Sequence, residues 1–160
     1  MSVTGVPLTS SVVLDAFCTL TYAENYINNR LNTLPWDDAT DTNKTRALNV
    51  ATLLIDKLNF KFDLTAEGQD HEFPRNEETD VPDDIMKATV EIALQLLDDY
   101  DPDELRNEVN ISEDQYASVK TKYQNNPPHY ILAGIPSAMA WDYLVPFLRD
   151  CGAIRMNRIS

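Results

Sequence analysis

The chain is organised around the segment Val81-Pro-Asp-Asp-Ile-Met-Lys-Ala-Thr-Val-Glu-Ile-Ala-Leu-Gln-Leu-Leu97. Pro82 is suited to a helix start, because its missing N–H is not needed there, and Asp83 and Asp84 favour the positive end of the helix dipole. From Ile85 to Leu97 the segment is apolar on most faces, which is typical of a helix surrounded by protein. We therefore expect this helix at the centre of the core.

Two amphipathic helices are predicted before it. The sequence Thr21-Tyr-Ala-Glu24 fits a capping box and starts a helix over about 21–32. Asp41 or Thr42 can cap a second helix, whose apolar stripe ends near Asn59.

Different patterns follow the central segment. Residues 116–123 alternate apolar and polar side chains, which favours a strand paired with 109–111 in a small hairpin over about 109–123. A last helix is predicted over about 137–150, with a kink or a shifted boundary at Pro146. The predicted fold class is mainly α: a compact helical subunit of about four helices with a small β-hairpin.

The 160 residues are 43% hydrophobic and can bury about 70% of the unfolded surface, which favours one domain. We expect an extended arm at 1–18, a helical core at 19–152 and a C-terminal tail at 153–160. The residues expected to be largely buried occupy the apolar stripes of the helices: Trp36, Leu48, Leu54, Ile55, Ile92, Leu96, Trp141 and Leu148.

The negative charge is confined to one block. Asp63 to Glu104 holds 15 of the 26 acidic residues and only Arg75 and Lys87 as bases, so it accounts for the whole net charge of −13. Binding to duplex DNA depends on Lys and Arg displacing counterions, and this composition disfavours it. Residues 60–80 have no periodicity and predict a long loop, of a length that is usually functional.

Acidic residues near the middle of the chain resemble the opening of a calcium loop. Asp99, Asp101 and Asp103 have the required spacing, but Glu104 replaces the glycine of the sixth position and Asn110 replaces the bidentate glutamate of the twelfth. Solvated carboxylates that end a helix are the better interpretation. We expect no metal site.

Other catalytic and cofactor signatures are missing from the sequence. His71 and His129 lie 58 positions apart and are interpreted as hydrogen-bonding loop residues. Four glycines cannot build a glycine-rich phosphate cradle, and no nucleophile motif occurs. We expect neither an enzyme nor a bound cofactor. Base stacking is conceivable for six aromatic residues, but core packing is the favoured interpretation: Tyr22, Tyr26, Trp36, Phe60, Phe62 and Phe73.

Cysteine usage and hydropathy bear on the compartment. Cys18 and Cys151 have no metal or redox spacing and favour two buried thiols in a reducing compartment, while their spatial pairing stays open. No stretch approaches the roughly 18 apolar residues of a membrane span, and no basic leader is present. We expect a soluble protein without membrane contact.

An ordered set of motifs now becomes informative: Trp36, the helix to Leu58, the loop Gln69-x-x-x-Phe73-Pro74-Arg75, Val81-Pro82 and Leu144-Val-Pro-Phe-Leu148. Over roughly Thr19 to Ile159 this set resembles the head-tail connector proteins of tailed bacteriophages, also called adaptor or head-completion proteins. The group is often labelled DnaT-like single-stranded-DNA-binding. The resemblance implies a mainly helical subunit in a ring, commonly of twelve copies, beneath the portal protein at the neck of the virion.

The resemblance and the charge lead to one functional hypothesis. The ring would connect the portal to a downstream tail or head-completion protein and let double-stranded DNA pass without specific binding, because an acidic lumen repels phosphates. The acids predicted to line the channel or a subunit seam are Glu77, Glu78, Asp80, Asp83 and Asp84. The residues predicted to dock on the portal are Ile154, Arg155, Met156, Arg158 and Ile159, unless they complete a hairpin of their own subunit. The alternative is a single-stranded-DNA-binding replication accessory protein.

Overall fold

The computed structural model describes residues 12–107 and 128–149, and within them the fold is mainly helical, as predicted. These ranges contain two isolated β-bridges and no strand. The predicted hairpin at about 109–123 and the tail at 153–160 lie outside the described residues. The elements are α1 Leu20–Ile27, α2 Leu34–Asp37, α3 Asp41–Asp56, α4 Asp83–Leu97, α5 at 102–107, α6 His129–Leu132 and α7 Ala138–Leu144, which continues into the 3-10 turn Val145–Phe147.

Helix α4 is the centre of the molecule, as the sequence predicts. It packs against α1, α2, α3 and α7. Its N-cap is Pro82, and Asp83 and Asp84 lie in its first turn. Burying a large aliphatic side chain contributes about 1.5–3 kcal/mol, and α4 buries Ile85, Ile92 and several others on all sides. The apolar character on most faces therefore sets its position.

The first helix begins and ends differently from the prediction. Its N-cap is Thr19, whose hydroxyl accepts a hydrogen bond from the backbone N–H of Tyr22 at 3.1 Å. The predicted capping box at Thr21 does not form, because Thr21 lies inside the helix, and the Glu24 carboxylate accepts from Lys44 Nζ at 2.8 Å. The helix ends at Ile27, five residues before the predicted boundary.

Helices α3 and α7 also differ at their ends. Thr40, and neither of the two predicted residues, caps α3 with its side chain, and α3 ends at Asp56. Helix α7 ends at Leu144, where Pro146 fits the first turn of a 3-10 helix but lacks the N–H that a continuing α-helix needs. The helix predicted over about 137–150 is therefore present with N-cap Ser137, and its end is shifted to Leu144 by Pro146, which is one of the two outcomes predicted for this proline.

Most of the predicted core residues are buried. Trp36, Leu48, Ile55 and Ile92 have no exposed surface, and Leu148 is 4% exposed. The other three predicted residues pack against the core but are only partly buried: Leu54, Leu96 and Trp141.

A buried carboxylate lies within the otherwise apolar α4. Glu91 has no exposed surface, and it accepts hydrogen bonds from Arg30 Nε at 2.7 Å, Arg30 Nη2 at 3.0 Å and the Tyr26 hydroxyl at 2.7 Å. A buried charge needs such partners to offset its lost hydration. The network ties α1 and the turn after it to the central helix.

None of the described helices is long and apolar enough to cross a membrane.

Candidate interaction surface

The long loop predicted at 60–80 is present between α3 and α4. Its first residues are held by residues 147–149, at the end of the described chain. Lys61 N donates to the carbonyl of Phe147 at 2.8 Å, and Arg149 N donates to the carbonyl of Asn59 at 3.0 Å. These bonds flank an antiparallel bridge between Phe60 and Leu148. The loop and the segment that leads into the tail are therefore held side by side.

An aromatic cluster anchors the middle of the loop. Phe73 is 5% exposed, and its ring makes edge-to-face contacts with Phe17, Phe60 and Phe147 at centroid distances of 5.7, 4.7 and 5.9 Å. Such contacts add about 0.5–1.5 kcal/mol each beyond the buried area. One loop residue thus joins the N-terminal arm, the end of α3 and the turn after α7.

The motif residues Gln69 and Pro74 brace the loop from inside. Gln69 Oε1 accepts from Ala66 N at 3.0 Å, while its Nε2 donates to the carbonyls of His71 at 2.7 Å and Pro74 at 3.0 Å. The peptide bond between Phe73 and Pro74 is cis. These side-chain bonds supply partners for loop backbone groups that have no helix or sheet to satisfy them.

The last motif residue, Arg75, is occupied within the loop. Its Nε donates to the carbonyls of Lys61 at 3.0 Å and Phe62 at 3.1 Å, and its Nη1 donates to the carbonyl of Glu72 at 3.2 Å and pairs with the Glu72 carboxylate. A guanidinium with this many acceptors has few N–H groups left for a phosphate. The motif therefore shapes the loop and offers little for binding an anion.

His71 connects the loop to two other parts of the protein. Its Nδ1 lies 2.6 Å from Asp56 Oδ2 at the end of α3, and its Nε2 lies 2.8 Å from Asp15 Oδ1 in the N-terminal arm. Burial lowers the pKa of His71, but the hydrogen bonds and charges of the two carboxylates outweigh it and raise the pKa above its usual value. The interpretation of His71 as a hydrogen-bonding loop residue is confirmed.

The five acids proposed for a channel or seam fall into two groups. Glu77, Glu78 and Asp80 are exposed on the loop and form no ion pair with any described residue. Asp83 and Asp84 lie at the start of α4 beside Lys87. The first group is therefore open to solvent, and the second is partly neutralised.

Two neighbouring side chains lower the pKa of Asp83. Lys87 Nζ lies 2.8 Å from Asp83 Oδ2, and the Tyr22 hydroxyl donates to Asp83 Oδ1 at 2.6 Å. These two bonds hold the pKa of the Asp83 carboxyl below its usual range. Asp84 lies farther from the same amine, at 3.9 Å.

Basic side chains in the described ranges are few and mostly engaged. Residues 12–107 and 128–149 contain 22 acidic residues and nine Lys or Arg residues. Five of the nine form ion pairs within the chain: Arg30, Lys44, Arg75, Lys87 and Arg106. Lys120 and Lys122, which could pair with a neighbour's acids, lie outside the described residues.

The aromatic residues considered for base stacking are mainly core residues. Trp36, Phe60 and Phe73 are buried. Tyr22 and Tyr26 are partly buried and direct their hydroxyls to carboxylates. Only Phe62 of the six is mainly exposed, at 60%. The interpretation of this set as core packing is confirmed for all but Phe62.

The other candidates from the sequence are the acidic residues after α4 and the two cysteines. Within the part of the chain that the structure describes, no three His, Cys, Asp or Glu side chains are arranged to hold a metal ion. Asp101 Oδ1 accepts from the backbone N–H of Asp103 at 2.8 Å, so Asp101 caps the start of α5 in the segment that follows α4. Cys18 is buried, which raises the pKa of its thiol to about 12, and Cys151 lies outside the described residues.

The fold and the surface define a mainly helical, acidic protein with an internally braced loop. The sequence profile of the family described as "Putative DnaT-like ssDNA binding protein" matches residues 8–159. The chain belongs to this family, since the match covers nearly its whole length. No curated protein and no solved structure matches the chain significantly. The family match agrees with the label attached to the resemblance, whereas the connector role belongs to the proposal below.

Proposed function

We propose that the protein is a structural component of the virion of a tailed phage. Copies of it form a ring, commonly of twelve, at the head-tail interface, where the ring joins the portal protein to a downstream tail or head-completion protein. It acts as an adaptor without a catalytic centre. Its place before incorporation is the host cytoplasm. The ordered motifs from Trp36 to Leu148 support this role through their resemblance to connector proteins.

The observation that carries the proposal is the charge imbalance of the described surface. The described residues contain 22 acids, of which all but Glu91 have exposed surface, and nine bases, of which five are already paired within the subunit. Repeated around a ring, such a surface creates a negative potential that keeps phosphates away from the wall. DNA can then slide through the channel without being retained.

The braced loop suits a part that must keep its shape inside an assembly. Phe73 and Arg75 fix the loop to the arm, to α3 and to the turn after α7, while Glu77, Glu78 and Asp80 remain exposed. A fixed loop can present the same acids from every subunit. We place these acids on the channel, with a subunit seam as the other location.

The tail is the proposed contact with the portal. The five residues Ile154, Arg155, Met156, Arg158 and Ile159 combine apolar and basic side chains. A segment of this kind can add to a partner's surface in extended form. It lies outside the described residues, so the support for this contact is its composition and the family resemblance.

A second function, binding of single-stranded DNA, is favoured by the family description. Such binding needs a basic groove with exposed aromatic rings. Phe62 is exposed, and Lys61 lies beside it, but the neighbouring Arg75 is bonded to loop carbonyls. The surface around Phe62 therefore offers one exposed ring and one base, Lys61, whose Nζ also donates to the carbonyl of Pro146 at 3.3 Å, and this is weak support.

One pair of measurements separates the two functions. Sedimentation velocity and electron micrographs of the purified protein, alone and mixed with the portal protein of the same phage, test the connector. Fluorescence anisotropy with a labelled oligo-dT tests the alternative. We expect rings or capped portals and no oligonucleotide binding at physiological salt. Monomers at all concentrations that leave the portal uncapped and bind oligo-dT would overturn the proposal in favour of the second function.

A further inference from the structure

A groove of about 400 Å³ lies between α3, the turn from α4 to α5 and the turn from α6 to α7. Its apolar lining comes from Val50, Leu54, Leu96 and Ala133. The side chain of Val50 is 45% exposed, although the next residue of α3, Ala51, is fully buried. The volume is within the range of pockets that bind small ligands or a few side chains.

The rim of the groove is acidic. Asp99, Asp101 and Asp103 line it, together with Lys57 and Arg106. Arg106 is already engaged, because its Nη1 lies 3.9 Å from Asp103 Oδ1 and its Nη2 donates to the carbonyl of Leu132 at 3.2 Å. The groove thus combines an apolar floor with a surplus of negative charge at its edge.

Gly134 makes the wall of the groove possible. Its φ is +80°, a left-handed conformation that L side chains rarely adopt, and a Cβ there would lie 2.6 Å from Arg106 Nη2. The close approach of the Arg106 guanidinium to the backbone therefore requires glycine. This local geometry holds the two sides of the groove together.

We propose that this groove binds the C-terminal tail of the chain, residues 153–160. Ile154, Met156 and Ile159 supply apolar side chains for the floor, and Arg155 and Arg158 supply cations for the acidic rim. Burial of apolar side chains provides the affinity, and the opposite charges at the rim favour this segment over others.

The tail fits better than the other segments outside the described residues. Residues 1–11 have no charged side chain, and residues 108–127 carry three acids against two lysines. Residues 153–160 have two arginines and no acid. Only the tail combines apolar side chains with a net positive charge that complements the rim.

The position of Arg149 brings the tail within reach of the groove. Arg149 N donates to the carbonyl of Asn59 at 3.0 Å, only two residues after Lys57, which lines the groove. The eleven residues from 150 to 160 can span up to about 36 Å when extended. This inference needs neither a ring nor a portal, but a tail held in the groove must leave it before contacting the portal.

Digestion of the full-length protein with a carboxypeptidase tests the inference. Val50→Lys places a positive charge on the groove floor, where it opposes both the apolar and the basic side chains of the tail, whereas Leu53→Lys is a matched control, because Leu53 is 56% exposed on the same helix but does not line the groove. Mass spectrometry follows the loss of C-terminal residues. We expect Val50→Lys to speed trimming of residues 153–160 about tenfold and Leu53→Lys to leave it unchanged. Equal rates in both variants and the parent would overturn the inference.

A binding measurement provides a second, independent readout. A fluorescein-labelled peptide of residues 152–160 is titrated with protein that ends at residue 152. We expect binding that weakens about tenfold when Asp99, Asp101 and Asp103 are changed to Asn, and a similar loss when the peptide carries Glu at both arginine positions. Absence of binding by a folded truncated protein, or binding that none of these changes affects, would contradict the inference. If the truncated chain does not fold, the digestion of the full-length variants decides.

Discussion

Replacement of Arg30 by alanine should expose how strongly the buried charge network holds α1 on α4. Arg30→Ala removes two hydrogen bonds, at 2.7 and 3.0 Å, from a carboxylate with no exposed surface. Glu91 then keeps only the Tyr26 hydroxyl. Removal of one partner from a buried ion pair costs about 3–5 kcal/mol, because the other charge is left uncompensated.

The structure places the expected loss at the lower end of that range. The Arg30 side chain is 21% exposed, so water can enter the space that it leaves and partly solvate Glu91. We expect a loss of about 3 kcal/mol in the free energy of unfolding. For a domain of this size, that corresponds to a melting temperature lower by about 6–12 °C.

Urea denaturation followed by circular dichroism measures the loss. Arg46→Ala is the matched control: Arg46 is exposed on α3 and bonds only to Asn43 among the described contacts, so its replacement should change stability by less than about 0.5 kcal/mol. The double variant Arg30→Met/Glu91→Leu should recover most of the stability, because it removes both charges. A loss below about 1 kcal/mol for Arg30→Ala would show that Glu91 is hydrated in solution and refute the reasoning.

Three further changes test other parts of the fold and surface. Because the pKa of His71 is raised in the folded protein, its protonation stabilises the fold fully at pH values below the usual pKa of about 6.5, and this contribution is lost as the pH rises through the raised pKa. The loss of unfolding free energy caused by His71→Gln, measured in urea, should therefore become smaller from pH 6 to pH 9. A loss that stays constant over this range would contradict the ion pairs of His71 with Asp15 and Asp56. Leu96→Ala should cost about 2 kcal/mol, because Leu96 is only partly buried, and a denaturant titration giving less than about 0.5 kcal/mol would make the end of α4 peripheral. Neutralising Glu77, Glu78 and Asp80 to Gln and Asn should leave ring assembly intact in sedimentation velocity if they face the lumen, while weaker assembly at low salt would place them at a seam between subunits.

The sequence predicted the parts of the fold that depend on the periodicity of apolar residues. The central helix was identified correctly because Pro82 and the apolar run after Ile85 are local signals. The helix ends were less predictable, since neighbouring threonines compete as caps: Thr19 caps α1 instead of Thr21. Propensities of single residues differ too little to decide such competitions.

The candidate surface depends on contacts between residues that are distant in sequence. Arg30 and Glu91 are 61 positions apart, and His71 meets Asp15 across 56 positions. A sequence pattern contains no signal for pairs so far apart, so the sequence did not indicate that Glu91 is a buried partner of Arg30. The sequence predicted the loop at 60–80, but it contained no sign that Arg75 braces this loop by donating to backbone carbonyls.

The most direct test of the proposed connector role is a single-particle reconstruction of the protein mixed with the portal protein encoded beside it. We expect a closed ring seated on the portal, with residues 77–84 of each subunit facing the DNA channel or the seam between subunits. A mixture without rings at any protein concentration, or a ring that carries residues 77–84 on its outer rim, would contradict the proposed function.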